Sequence, residues 1–373
     1  MRKNFIIIMI ITILFTGFSY SADTTQEEMI TERGKVIAVD EVDTEESAED
    51  FLESKLVTIE VLSGKYEGQQ FTIKHYLSGS YGYDLPVKAG DRVLIVVEEL
   101  EDSVEVYIAD YIRDTYVFGV IALFIALLVI IGKKTGVKAL VTLGITITLV
   151  MKFLLPGILR GYSPILLTVI TSILITLITI FIIAGISIKS FSAIIGIMGG
   201  VITAGLITFI IGSQVKLTGL SGEEATMLMY IPQNIQFDFK GLLFSGIMLG
   251  ALGAVMDVGI SVASAMEEIK RLSPHVKVRE LIMSGMNVGK DIMGTMTNTL
   301  ILAYTGSAIP LLLLFMAYET DMIKIINLDI IATEIVRAVS GTIGLILTIP
   351  ITAFTSGILY EKYGASSNKN TVD

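Results

Sequence analysis

Seven long stretches of apolar residues occupy the chain from residue 116 onwards. They are Tyr116–Gly132, Val137–Leu155, Ile165–Ile188, Phe191–Ile211, Leu242–Ala265, Thr299–Met316 and Ile330–Leu359. Each meets or approaches the ~20 residues with which a helix crosses ~30 Å of hydrocarbon. Because a backbone inside a bilayer must satisfy its own hydrogen bonds, the pattern predicts an all-α bundle of seven transmembrane helices over residues 115–373.

Residues 23–114 follow a different pattern, in which apolar and polar positions alternate. Val57, Ile59 and Val61 face one way, and the segment from Val104 to Ile108 behaves likewise. Such alternation is typical of half-buried strands. Further strand candidates are Arg33–Asp40, Gln70–Leu77 and Val93–Glu99. Five short strands predict a small all-β domain, which is either a barrel, with an OB-like barrel as one option, or a sandwich.

The first 22 residues have the pattern of a secretory signal. Arg2 and Lys3 precede the apolar run Phe5–Phe18, and small residues follow around Ser21. This pattern predicts either a cleaved signal peptide or an uncleaved anchor, which would add an eighth transmembrane helix. Either version predicts that residues 23–114 lie outside the cytoplasm.

Composition agrees with a membrane protein and excludes several function classes. Of 373 residues, 53% are hydrophobic and 17% are charged, whereas soluble proteins carry about 25% charged residues. An excess of acidic over basic residues, 37 against 27, disfavours nucleic-acid binding. The chain has no cysteine and only two histidines, His75 and His275. We therefore expect no disulfide, no metal site and no organic cofactor.

Charge is distributed unevenly and predicts an orientation. Residues 23–114 carry 23 acidic and 8 basic side chains. In the helical part, eleven Lys and Arg residues lie in the predicted inner segments and five in the predicted outer loops. This bias follows the positive-inside rule. It predicts a multi-pass membrane protein with the β domain outside and the C-terminus in the cytoplasm.

Polar and small residues in the C-terminal half form stripes at helical spacing. The fifth apolar run carries Gly246, Gly250, Gly253 and Asp257 at intervals of three or four residues. The approach to the sixth run carries Asp291, Thr295 and Asn298, and the seventh run carries Glu334, Arg337, Gly341 and Gly344.

These stripes have two interpretations. The glycines fit helix-packing seams, and Glu334 with Arg337 fits a structural ion pair. A packing seam does not need a carboxylate, however, and ionisable groups within membrane helices commonly line a substrate or ion pathway. The functional interpretation is a polar centre made of Asp257, Asp291, Thr295, Asn298, Glu334 and Arg337.

We find no established catalytic motif, so we do not expect an enzyme. Gly285–Asp291 resembles a phosphate loop only superficially, because the glycine spacing is one residue short and Asp replaces the Ser or Thr after the lysine. Asp257 and Asp291 also lack the flanking motifs of intramembrane proteases.

Two blocks resemble the YibE/F family of bacterial multi-spanning membrane proteins. They are Gly250–Val258 (GALGAVMDV) and Gly289–Tyr304 (GKDIMGTMTNTLILAY), and Thr333–Arg337 and Pro350–Thr352 look like two further family blocks. The resemblance implies an exported amino-terminal domain fused to a hydrophobic helical domain. It implies no particular activity.

Two functions remain open on this basis. The first is a permease that moves a small solute or ion past the polar centre, alone or driven by a separate ATPase or another membrane partner, since the chain has no nucleotide loop of its own. The second is a non-transport assembly, scaffold or signalling protein whose outer β domain binds a partner.

Overall fold

A computed structural model describes residues 30–41, 53–80, 82, 84–99, 104–231, 235–319 and 321–363. The predicted signal segment at residues 1–22 lies outside the described residues. The chain divides into two compact units, with the boundary between residues 130 and 131.

The first unit is built on one antiparallel sheet, whose described strands are β1 (Ile30–Glu41), β2 (Glu53–Val61), β3 (Gln70–Leu77), β4 (Arg92–Glu99) and β5 (Val104–Tyr111). The strand order is β3-β2-β1-β4-β5, so β1 pairs with both β2 and β4. The two edge strands, β3 and β5, approach each other. The sheet therefore curls into the partly open, five-stranded barrel that is typical of OB-folds.

Alternation along the strands produces the interior of this barrel. Val57, Ile59, Val93 and Ile95 are fully buried, and the residues between them are more accessible. The prediction of a small all-β domain is confirmed by the described strands, which span Ile30–Tyr111, and so is the barrel option. The sandwich option is wrong, because the described strands form one curved sheet.

The remainder of the described chain is helical. Its helices are α1 (Asp114–Leu149), α2 (Leu155–Leu159), α3 (Pro164–Ala184), α4 (Ile188–Gln214), α5 (Glu223–Met227), α6 (Phe239–Leu272), α7 (Val278–Ser307), α8 (Ile309–Ala317), α9 (Met322–Ile326) and α10 (Asp329–Tyr363). A π-helical turn (Val150–Leu154) joins α1 to α2, and a 3₁₀ turn (Leu228–Tyr230) follows α5.

Fewer separate spans are found than the seven predicted runs. Among the described residues, five helical stretches are long and apolar enough to cross a membrane, or six if the bent pair α7–α8 is one span. The first two runs fall within one helical stretch, Asp114–Leu159, whose course is interrupted at Lys133 by a non-helical backbone (φ 47°). The sixth run begins inside α7 and is divided at Ala308, where α7 and α8 meet at 62°.

The centre of the helical unit is formed by α4, α6 and α10. Helix α10 packs most extensively against α4, and α7 packs on α6 and α10. Gly200 and Gly344 allow the close contact of α4 with α10, because a Cβ at Gly344 would lie 2.6 Å from the Gly200 carbonyl oxygen. The prediction of a multi-pass helical membrane domain behind a β domain is confirmed by this architecture.

Candidate functional site

Glu334 and Arg337 form an ion pair near the beginning of α10. Their spacing of three residues places both on one helix face, and Arg337 Nη1 lies 2.9 Å from Glu334 Oε1. Both side chains are half-buried. The second carboxylate oxygen, Glu334 Oε2, is buried and has no hydrogen-bond partner among the described residues. The pair is therefore only partly satisfied by the chain itself.

Tyr304 connects this pair to α6. It lies on α7 one turn after Leu300, which packs at Gly341 of α10, and Arg337 lies one turn before Gly341. Because α7 and α10 are antiparallel, Tyr304 and Arg337 lie at the same level of the bundle. Its hydroxyl oxygen is 3.1 Å from the position that a Cβ on Gly250 would take. Helices α6, α7 and α10 therefore meet around Tyr304, a residue that the search for polar stripes did not single out.

Asp257 lies on the same stripe of α6 as Gly250 but two turns further along the helix. Asp257, Gly246, Gly250 and Gly253 are all exposed on the surface of the chain. Asp257 forms no hydrogen bond or ion pair with any described residue, and burial by the chain is partial. The carboxylate of Asp257 therefore faces the surroundings of the chain in the membrane, which are lipid, water or another protein.

The glycines predicted to mediate helix packing divide into two groups. Gly341 lies between Ala251 and Leu300, and Gly344 faces α4, so both admit a neighbouring helix. At Gly246 and Gly253, by contrast, no described atom lies within 4 Å of a Cβ position. The expected packing role of Gly246 and Gly253 is not realised within the described chain, because their face of α6 points away from the bundle.

The polar residues of α7 also point away from the bundle. The buried face of this helix contains Gly285, Gly289 and Leu300, which pack against α6 and α10. Asp291, Thr295 and Asn298 are exposed. Of these three, only Thr295 bonds to the described chain, donating to the Ile292 carbonyl oxygen at 2.9 Å.

Asp257 and Asn298 nevertheless lie at a similar depth. Helices α6 and α7 are antiparallel neighbours, because Gly250 approaches Tyr304 while Met266 approaches Gly285. Asp257 follows Gly250 by seven residues and Asn298 precedes Tyr304 by six. At 1.5 Å per residue both lie about 10 Å from the Gly250–Tyr304 contact. The predicted polar centre is therefore two regions: an ion pair at Glu334 and Arg337, and exposed polar faces on α6 and α7.

Sequence reasoning missed the polar residues that the bundle buries. The face of α3 formed by Thr168, Thr171, Ser172 and Thr176 is fully buried, and so is Ser356 of α10. The spacing of four residues from Thr168 to Ser172 and Thr176 is visible in the sequence. Hydroxyl side chains can bond to a carbonyl oxygen of their own helix, so such a spacing alone does not single out a site.

Two family models match the chain and together cover most of it. Residues 120–362 match a model described as YibE/F-like protein. The chain belongs to the YibE/F family. The β strands of this YibE/F protein match a second model, described as the YibE/F family N-terminal domain, over residues 29–111. No curated protein and no solved structure matches the chain.

Membership of the YibE/F family agrees with the resemblance found in the blocks around Asp257 and Asn298. It describes a membrane protein and leaves its biochemical role open. Within the described residues, no group of three or more His, Asp or Glu side chains could hold a metal ion. The arrangement offers carboxylate, amide and hydroxyl groups on membrane helices, which can bind or pass small polar species.

Proposed function

We propose that this YibE/F protein is a permease for a small solute or ion, and that its route runs along the exposed polar faces of α6 and α7. The observation that carries the proposal is the exposure of Asp257, Asp291 and Asn298 on membrane helices without partners in the described chain. An Asp at the centre of a bilayer costs about 2.5–3.5 kcal/mol on insertion scales. These groups are therefore expected to face water or protein rather than lipid.

A second membrane component is part of this proposal. Another copy of the chain, or a separate membrane partner such as an ATPase complex, would separate the polar faces from lipid and leave an aqueous route between them. The orientation predicted from the loop charges would place the β barrel on the outer side of the membrane.

One observation favours the alternative function, a non-transport assembly protein. Gly246 and Gly253 are open, and small residues at such spacing allow the close approach of another helix. In that case the faces of α6 and α7 would form a dry seam with a partner helix. The two functions differ in one measurable property, which is whether water reaches Asn298.

Cysteine accessibility tests the difference, because the natural chain contains no cysteine. Single variants Asn298→Cys and Thr295→Cys are reconstituted in lipid vesicles and treated with a charged thiol reagent. Leu206→Cys is the matched control, because Leu206 is exposed, apolar and on α4. We expect rapid labelling at residues 295 and 298 and little at 206. Protection of all three would exclude an aqueous route on α7 and favour the seam.

A flux measurement then tests the role of the carboxylate. Vesicle swelling with a panel of small neutral and charged solutes identifies what crosses, and Asp257→Asn should slow that flux or change its pH dependence. Asp329→Asn is the control, because Asp329 accepts a hydrogen bond from Thr218 at 2.6 Å, away from the proposed route. An unchanged flux in Asp257→Asn would remove Asp257 from the route.

A further inference from the structure

A second polar region lies at the end of the bundle where α4 begins and α6 ends. Lys189, in the first turn of α4, forms an ion pair with Glu267 of α6, with 2.6 Å between Lys189 Nζ and Glu267 Oε2. The neighbouring charges have other partners: Glu268 pairs with Arg271, and Lys270 donates to the Pro274 carbonyl oxygen. Among the described residues, Lys189 and Glu267 thus form the ion pair that joins α4 to α6 at this end of the bundle.

Helix α10 contributes three buried hydroxyl groups to the same region. Thr352, Ser356 and Tyr360 follow one another at intervals of four residues and therefore lie on one face. We call them the hydroxyl column. Each is buried, and none of their hydroxyl oxygens has a hydrogen-bond partner among the described residues. Thr342 and Thr348 on the same helix differ, since each donates to a carbonyl oxygen four residues earlier.

The ion pair and the hydroxyl column are adjacent. Gly196 approaches Thr352 and Gly200 approaches Thr348, so α4 and α10 are antiparallel. Lys189 precedes Gly196 by seven residues and Tyr360 follows Thr352 by eight, so both lie at a similar level along the bundle. Thr352 packs against Gly196 of α4, where any Cβ would clash with the threonine hydroxyl. The column therefore extends from the ion pair into the contact between α4 and α10.

We propose that Lys189 and Glu267 form a latch that closes this end of the bundle, and that water enters the hydroxyl column when the latch opens. A buried hydroxyl without a partner is unfavourable, and water would supply the missing hydrogen bonds. The ion pair is partly exposed, with the side chain of Lys189 20% and that of Glu267 38% accessible. Solvent therefore competes for both charges, and the pair can open. This inference goes beyond the proposed function and does not depend on it.

Thiol labelling at the column tests the latch. The reporter is Ser356→Cys, a nearly isosteric change at a fully buried residue, in protein held in lipid nanodiscs so that buffer reaches both membrane faces. We expect slow labelling by a small hydrophilic thiol reagent when the pair is intact and labelling several-fold faster with Glu267→Gln. Lys189→Gln should have the same effect, and the exchanged pair Lys189→Glu/Glu267→Lys should restore slow labelling.

Two further reporters distinguish opening of the latch from unfolding. Leu272→Cys, at an exposed residue, should label rapidly in every background, and Ile197→Cys, fully buried in the apolar core, should stay protected. Equal labelling of Ser356→Cys with and without Glu267 would overturn the proposal, as would loss of protection at Ile197→Cys in Glu267→Gln.

If neither single-charge variant folds, salt provides the test on the intact pair. Raising the ionic strength weakens a partly exposed ion pair, so labelling of Ser356→Cys should accelerate relative to Leu272→Cys. A ratio that does not change with salt would contradict the latch.

Discussion

Glu32 shows how one buried carboxylate organises a turn in the β barrel. It is only 4% exposed, and its Oε1 accepts a hydrogen bond of 3.0 Å from the backbone N–H of Lys65. The adjacent Gly64 has a φ of 83°, which favours glycine. On the other side of the turn, hydrogen bonds from Lys65 and Tyr66 lower the pKa of Glu99 from its usual 4.5. The turn is thus held between two carboxylates.

Replacing Gly64 by alanine should therefore destabilise the barrel. A Cβ at Gly64 would overlap the Glu32 carboxylate as well as strain the backbone, so we expect a loss of more than about 1 kcal/mol. Gly68→Ala is the matched control, because Gly68 has a similar φ of 81° but open space around it. Hydrogen exchange of β1 and β2 in the full-length protein measures the difference. Equal effects of the two substitutions would show that the carboxylate contact is unimportant.

Individual elements were predictable where sequence periodicity carries the information. The strand Gln70–Leu77 was predicted with the bounds that β3 has, because alternation has only one register that buries the apolar side chains. The apolar runs predicted helices, since only closed backbone hydrogen bonding is tolerated in lipid. The break at Lys133 coincides with the polar link between the first two predicted runs, residues 133–136. The bend at Ala308 was not predicted, because it falls inside the sixth predicted run, between Gly306 and Pro310.

The direction in which each helix face points was the least predictable feature. Both faces of a membrane helix can be apolar. The spacing of residues therefore identifies the stripe Gly246–Asp257 but does not tell which helix packs against it. The glycines that bring α4 and α10 together, Gly196 and Gly200, were overlooked for the same reason. The Glu334–Arg337 pair was predictable, because its partners are three residues apart on one helix.

A pair of glycine substitutions tests this division between inward and outward faces. Gly200→Ala should destabilise the helical unit by about 1–3 kcal/mol, because its Cβ would clash with Thr348 and lie 2.7 Å from the Gly344 carbonyl oxygen. Gly253→Ala has open space and should leave the thermal stability of the isolated chain in detergent nearly unchanged. If Gly253→Ala lowers the stability equally, its face is already packed within the chain.

At the scale of the whole molecule, the predicted orientation depends on two features of charge: the basic residues of the loops and the acidic composition of residues 23–114. Eleven basic residues in the predicted inner segments against five in the outer loops favour a cytoplasmic location for the α6–α7 connection. The acidic segment 23–114 contains no cluster of basic residues that would favour a cytoplasmic location for it. Both considerations predict that residues 23–114 lie outside the cytoplasm and that the α6–α7 connection lies inside it.

Labelling in intact cells tests this orientation, and the cysteine-free chain again provides the background. Glu67→Cys lies on an exposed turn of the barrel, and His275→Cys lies in the exposed connection between α6 and α7. A membrane-impermeant maleimide should label Glu67→Cys in intact cells and His275→Cys only after the cells are opened. The reverse result would invert the protein and place Lys189 and Glu267 at the outer surface. Labelling of both in intact cells would mean that an even number of crossings separates them, as would be the case if Asp114–Leu159 crossed once before α3, α4 and α6. The predicted orientation requires Asp114–Leu159 to cross twice, with its break at Lys133.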